Sequence, residues 1–240
     1  RLAQRGYNLI LVARDTARLA ALAARLTDDF GVQVEVLPAD LTEEADVARV
    51  VRRLQEDTRI TLLLNNAGMS VNGEFLAADI ASITTMLALN ITAPTRLAHA
   101  AGNSFRVRGQ GTIINVASVL ALMHERSNGA YNASKSFVLT LTRALERELQ
   151  PEGVRVQAVL PGLTRTEILT RSGGSFDGVP PQMVMEVSDM VDASLAGLEQ
   201  GESVTIPALE DMAQWRQYDE ARAVMIPGLS LSQPASRYQR

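Results

Sequence analysis

Ile60-Thr61-Leu62-Leu63-Leu64-Asn65-Asn66-Ala67-Gly68 runs a short apolar segment straight into a turn of two asparagines, an alanine and a glycine. A strand with one wet face alternates apolar and polar residues. The stretch 60–64 does not, which marks a parallel strand buried between two helical layers. Similar runs stand at 8–13, 32–37, 112–117, 155–160 and 203–206. Helical patterns lie between and after them, at 16–28, 43–57, 80–106, 130–149, 188–199 and 209–225. Thr42 before Glu43 and Glu44, and Ser188 before Asp189, read as capping hydroxyls with acidic first turns. Pro151 and Gly153 close the stretch 130–149, whose Phe137, Val138, Leu141, Leu145 and Leu149 form one stripe. Strands alternating with helices predict a doubly wound α/β sheet in three layers, a fold whose sites form outside the carboxyl ends of the strands.

Composition allows one domain of 240 residues and 26.0 kDa. A net charge of −4 with scattered arginines argues against a nucleic-acid surface. The absence of cysteine excludes disulfides and thiolate metal sites, and two histidines leave little for zinc, so no metal is expected. No apolar run approaches the roughly 18 residues that span a bilayer, and no lipidation box closes the chain. The expectation is a cytoplasmic protein without membrane contact. Because the chain opens on Arg1, a targeting segment ahead of it would not be visible.

The strand-end loops carry the chemistry. The strand at 60–64 enters Asn65-Asn66-Ala67-Gly68, that at 112–117 ends at Ser118, and that at 155–160 enters Pro161-Gly162 with Thr166 beyond. The strand at 32–37 is followed by Asp40-Leu41. Singly these are turn and cap residues. Lys135 is the only lysine, the other 22 basic residues being arginine, and it lies four residues after Tyr131. Four residues is about one helical turn, so phenol and ammonium share a face. A compact ammonium can lower a neighbour's pKa and pass on a proton, which a guanidinium cannot readily do. The plain alternative for a lone Tyr-x-x-x-Lys is an exposed helix lysine.

Taken together, Asn65-Asn66-Ala67-Gly68, Asn90 within Leu89-Asn90-Ile91, Ser118, Tyr131-x-x-x-Lys135, and Pro161-Gly162 with Thr166 resemble the short-chain dehydrogenase/reductase family over nearly the whole chain. The resemblance implies a Rossmann-type fold and transfer of hydride between a nicotinamide and a carbonyl compound or secondary alcohol. It implies Tyr131 as general acid, Ser118 as hydrogen-bond partner of the substrate oxygen, and Lys135 as support for the tyrosine and holder of the nicotinamide ribose. Asn90 would hold a water that returns protons to Lys135. A free phenol titrates near pH 10, so an adjacent ammonium is expected to bring Tyr131 down. Asp40 and Leu41 would frame the adenine, and Asn66, Ala67 and Gly68 would lie along the adenosine ribose. Pro161 and Gly162, with Thr166 near the carboxamide, would complete the cofactor site. At the end of the first strand, Ala13 followed by Arg14 favours NADP(H) over NAD(H), since an arginine suits a 2′-phosphate. Asp15 reads as a helix cap, and Arg18 is a second candidate for the phosphate. A homodimer or homotetramer is expected by analogy.

Residues 1–6 read as the tail of a helix stopped by Gly6. The family's first strand and glycine-rich turn are therefore expected ahead of Arg1, leaving an open slot between the strands at 8–13 and 60–64. The variable substrate segment is 167–187, expected to be mobile, with Met183 and Met185 as candidate lining. His124 is expected to do nothing chemical, and Trp215 and Tyr218 to pack. Two other readings remain: a non-catalytic dinucleotide-binding sensor, which would not need Ser118, and an incomplete, inactive fragment.

Overall fold

The computed structural model describes residues 1–125 and 128–239. Among them, six strands and eight α-helices follow one another. The first half contains β1 Leu9–Ala13, α1 Thr16–Phe30, β2 Val34–Pro38, α2 Glu44–Glu56, β3 Leu62–Asn65, α3 Ile80–Leu87, α4 Ala93–Arg108 and β4 Gly111–Val116. The second contains α5 Gly129–Leu149, β5 Val154–Val159, α6 Glu167–Arg171, α7 Val187–Glu199, β6 Val204–Thr205 and α8 Met212–Met225. Every expected strand is present, its ends shifted by at most two residues.

All strand pairs are parallel, β1 with β2 in one sheet and β3-β4-β5-β6 in order in another. β1 and β3 are not paired, as an open slot between them requires. Their side chains are correspondingly only partly buried, and Leu64 is exposed. β4, paired on both edges, is buried from Thr112 to Asn115. Its successive residues Ile113 and Ile114 enter two separate cores. Ile113 packs with Val50 and Leu54 of α2, Leu97 and Phe105 of α4, and Leu149 of α5. Ile114 faces Leu198 and Met190 of α7. That is the three-layer arrangement. Phe105 is fully buried, and a Cβ on Gly111 would lie 2.3 Å from its ring, so only glycine lets α4 approach β4 here. Truncating a ring so enclosed typically costs about 3–5 kcal/mol.

Three local expectations are corrected. The stretch 80–106 is helical throughout but not uniformly α: α3 and α4 are joined by a π-turn over Ala88–Thr92. The hydroxyls of Thr42 and Ser188 cap nothing. Helices α2 and α7 start after Glu43 and Glu186, while Thr42 Oγ1 donates to Asp40 and Ser188 Oγ to Asp189. Phe137 leaves the α5 stripe and is exposed, while Val138 and Leu149 are buried. No helix among the described residues is long and apolar enough to cross a membrane.

The chain forms two compact units, Arg1–Pro207 and Ala208–Arg240. The first holds both sheets. In the second, Asp211 caps α8, and Trp215 stacks on Tyr218 with ring centroids 5.5 Å apart.

Candidate active site

The strand ends are locked together before any helix contributes. Asn65 and Asn115 are register partners on β3 and β4, and the Asn65 amide donates to Asn115 Oδ1 at 2.8 Å. Asn115 Nδ2 in turn donates to Thr142 Oγ1 of α5 at 3.0 Å. This buried rail fixes α5 against the turn that follows β3. Past β4, Ala117 N–H donates to Val159 O and Val119 N–H to Pro161 O, extending the pairing beyond the strands. Ser118 is thereby held beside Pro161 in an extended conformation, its Oγ accepting from Leu120 N–H at 3.1 Å.

Helix α5 brings Tyr131 and Lys135 to these strand ends. Asn128 caps it, accepting from Ala130 N–H at 3.0 Å. One turn on, Tyr131 and Lys135 are both buried, at 8% and 5% exposure. The Ser118 hydroxyl stands near enough to the Tyr131 phenol to lower its pKa. Lys135 Nζ donates to the Val116 carbonyl at 3.0 Å and lies 5.8 Å from the centroid of the Tyr131 ring. Lys135 is therefore not an exposed helix lysine. Burial pushes its pKa down to about 8. The expected depression of Tyr131 is absent: burial raises the phenol's pKa, and the Ser118 hydroxyl opposes the rise. The ammonium stands over the ring and donates to Val116, so desolvation wins.

Asn90 sits in the π-turn, where Ala93 N–H donates back to Ala88 O and one residue is squeezed toward the interior. Its Oδ1 accepts from Met69 N–H at 3.0 Å, and its amide hydrogens go to Met69 O at 2.9 Å and Ser134 Oγ at 3.1 Å. Ser134 Oγ donates to Tyr131 O at 2.7 Å. Both amide hydrogens are thus committed to protein partners. Gly68 approaches this cluster closely, since an added Cβ would lie 3.3 Å from Asn90 Oδ1 and 3.5 Å from Lys135 Nζ.

The remaining candidates divide. Ala13 ends β1 and Arg14 follows, paired with Asp40 at 3.5 Å. Asp15 caps α1 through the Arg18 amide, as expected. Thr42 hydrogen bonds, with a smaller contribution from Arg14, hold the Asp40 carboxyl below its ordinary pKa against the opposing effect of burial. Asn66 and Ala67 are exposed, Pro161 and Gly162 half-buried, while Leu41 packs against the core. Thr166 Oγ1 is buried without a hydrogen-bond partner among the described residues. Such an orphan typically costs about 1–3 kcal/mol unless a ligand satisfies it. Arg18 is gripped by Glu167, with contacts of 3.1 and 3.3 Å.

The segment 167–187 is tied at its base. Thr164 bridges Met185, and Arg165 pairs with Glu186 at 2.8 Å and lies over the Phe176 ring. Met183 is exposed and Met185 half-buried. His124 is exposed beside Glu125. The buried polar residues Asn115, Asn128, Asn132, Ser134 and Thr142 were missed by sequence reasoning. Asn115 left a signal, as the polar break in Ile113-Ile114-Asn115-Val116.

Residues 1–174 match the family model described as short chain dehydrogenase. The fold superposes on a short-chain dehydrogenase from Sphingobium yanoikuyae solved in complex with NADPH, with a TM-score of 0.96 and 48% identity, over 100% of this chain and 93% of that one. It also superposes on the bulky-bulky ketone specific alcohol dehydrogenase from Comamonas testosteroni, with a TM-score of 0.92 and 42% identity, over 100% and 92% of the two chains. An uncharacterized oxidoreductase of Staphylococcus saprophyticus is 30% identical over 206 residues, 85% of this chain and 86% of that protein. The chain belongs to the short-chain dehydrogenase/reductase family and is an oxidoreductase.

Proposed function

We propose that the protein is an NADP(H)-dependent carbonyl reductase or alcohol dehydrogenase acting on apolar ketones and the corresponding secondary alcohols. The observation that carries this reading is the buried Ser118–Tyr131–Lys135 constellation at the ends of β4 and α5. The donor set suits a nicotinamide dinucleotide: a buried Thr166 hydroxyl lacking a partner, a glycine close to Lys135, and the Arg14–Asp40 pair after β1 and β2. Thr166, Gly68, Asn66, Ala67, Pro161 and Gly162 would hold the cofactor, and when bound it supplies or accepts the hydride. Arg14 favours the phosphorylated form, because its charge is free to exchange a weak, exposed pairing with Asp40 for a 2′-phosphate. The NADPH complex of the Sphingobium relative supports the same choice.

In the direction of reduction, Tyr131 gives its phenolic proton to the oxygen of the substrate carbonyl as negative charge builds there. Ser118, close to that phenol, donates to the same oxygen and stabilises the charge before transfer is complete. A phenol raised by burial is a reluctant acid, so a buried ammonium nearby is needed to make its anion tolerable during turnover. With its pKa lowered to about 8, Lys135 is poised to give up a proton near neutrality and restore the tyrosine. Asn90 and Ser134 hold the backbone around this relay. Tyr131 shares an apolar cluster with Ile83 and Met86, against which Met69, Val71 and Leu120 pack, and the ketone preference named for the Comamonas relative agrees with such surroundings.

The test is a panel of aryl and alkyl ketones assayed by loss of NADPH absorbance, repeated with NADH and with Tyr131→Phe. Ketone-dependent NADPH oxidation, abolished by Tyr131→Phe, is expected. Tight NADPH binding with no oxidation of any alcohol or reduction of any carbonyl would favour a non-catalytic sensor.

A further inference from the structure

Helix α5 carries a second functional stripe beside Tyr131 and Lys135. Asn128, Asn132 and Ser136 are spaced four apart and therefore share one side of the helix start. Each donates to a main-chain carbonyl outside the helix: Asn128 Nδ2 to Gly73 O at 3.2 Å, Asn132 Nδ2 to Met123 O at 2.6 Å, and Ser136 Oγ to Ala121 O at 2.8 Å. The Ser136 hydroxyl also lies 3.0 Å from Asn132 O, the ordinary back-bond of a helical serine. Asn128 and Asn132 are buried, at 1% and 5% exposure.

The recipients are not scattered. Gly73 belongs to the loop that follows Asn65-Asn66-Ala67-Gly68, and Ala121 and Met123 to the loop that follows Ser118. These two loops supply Met69, Val71 and Leu120, which pack against the buried cluster of Ile83, Met86 and Tyr131. Neither loop carries a strand ladder in this stretch; the second forms a single 3-10 turn over Val119–Leu122, and Gly73 in the first has a φ of +83°. The helix that positions the proton donor therefore also grips, from its neighbouring stripe, the backbones of the two apolar walls beside it. An apolar residue would serve equally well at these places if the only need were a packed helix.

Resting on the carbonyl-reductase reading above, we propose that Asn128, Asn132 and Ser136 are positioning residues that hold both apolar walls of the substrate site in register with Tyr131, and thereby determine selectivity for large over small carbonyl compounds. A large ketone needs both walls in place to present its oxygen to Tyr131 and Ser118. A small aldehyde reaches them with little help. Errors of about 1 Å in such positioning can cost on the order of 10²-fold.

The experiment compares Asn132→Leu, which keeps the volume and loses the donor, Asn128→Ser, which keeps a capping oxygen and loses the bond to Gly73, and Ser136→Ala. Each is assayed on a bulky aryl ketone and a small aldehyde with NADPH, and by amide hydrogen exchange without substrate. For the bulky ketone, kcat/KM is expected to fall about tenfold or more, mainly through KM. For the aldehyde, kcat should stay within about threefold and NADPH affinity within about twofold. Exchange should quicken at residues 69–73 in Asn128→Ser and at 120–123 in the other two. Equal losses on both substrates, or unaltered exchange in the loops, would overturn the proposal. Should Asn132→Leu fail to fold, the milder Ser136→Ala decides. If the parent enzyme reduces no carbonyl compound, the reductase reading fails, and the exchange data still decide whether the stripe holds the loops.

Discussion

Lys135→Met should make the protein more stable and nearly inactive at once. The lysine is buried, and burial alone moves its pKa from 10.5 to about 8. That displacement corresponds to roughly 3 kcal/mol by which the fold disfavours the ammonium at neutral pH. Methionine removes this penalty at similar length, and it also removes the bond to Val116 O, whose loss costs about 1–2 kcal/mol. A net gain of about 1–2 kcal/mol remains, and each kcal/mol raises Tm by about 2–4 °C in a chain of this size. The pH dependence gives a sharper signature. Because the folded pKa lies below the unfolded one, the unfolded chain holds more protons between about pH 8 and 10.5. Stability of the parent therefore rises with pH across that window, while the methionine variant lacks the effect. Melting curves of cofactor-free protein should show the variant ahead at pH 7 and the gap closing toward pH 10. Turnover should fall by at least about 10². A variant that melts lower than its parent at pH 7, or an advantage that does not shrink as pH rises, would refute the reasoning.

Other substitutions probe separate parts of the site. Arg14→Ala should weaken NADPH use far more than NADH use in KM measurements, since only NADPH brings the 2′-phosphate; equal losses would move the phosphate site elsewhere. Glu167→Gln releases Arg18 from its two-point contact and should raise the NADPH-to-NADH affinity ratio in titrations, whereas an unchanged ratio assigns the phosphate to Arg14 alone. Gly68→Ala places a methyl 3.3 Å from Asn90 Oδ1, which its bonds to Met69 and Ser134 hold in place. Activity should drop about tenfold or more, with a stability loss of about 1–3 kcal/mol at most; full activity would mean the cluster is looser than its hydrogen bonds imply.

The sheet was legible because its strands are apolar runs whose periodicity has no competing reading, as in Ile113-Ile114 facing two cores. Tyr131 and Lys135 were legible because their spacing is that of a helical turn, and the slot between β1 and β3 followed from the family pattern. The π-turn was not, because Leu89-Asn90-Ile91-Thr92 carries the same residue types as the helices on either side. What widens the turn is tertiary, the pull of Met69 and Ser134 on Asn90. The raised Tyr131 pKa was misjudged for a similar reason: spacing gives proximity to a charge, and only the packed structure gives the desolvation that outweighs it. Asn128, Asn132 and Ser136 gave no sequence signal, since their partners are carbonyls of two loops remote in sequence or irregular in conformation.

The most direct test of the central claim is single-turnover reduction of a bulky ketone by the NADPH-loaded protein, comparing the parent with Tyr131→Phe and Lys135→Arg across pH. Tyr131→Phe removes the proton donor and should slow hydride transfer by about 10²–10⁴. Lys135→Arg should lose most activity although charge is conserved, because Gly68 and Asn90 leave no room for a guanidinium. The double variant should be little worse than the poorer single one, since the pair acts as a unit. NADPH affinity should survive Tyr131→Phe. Hydride transfer within a few-fold of the parent in either single variant would contradict the assignment of Tyr131 and Lys135 as the proton-transfer pair.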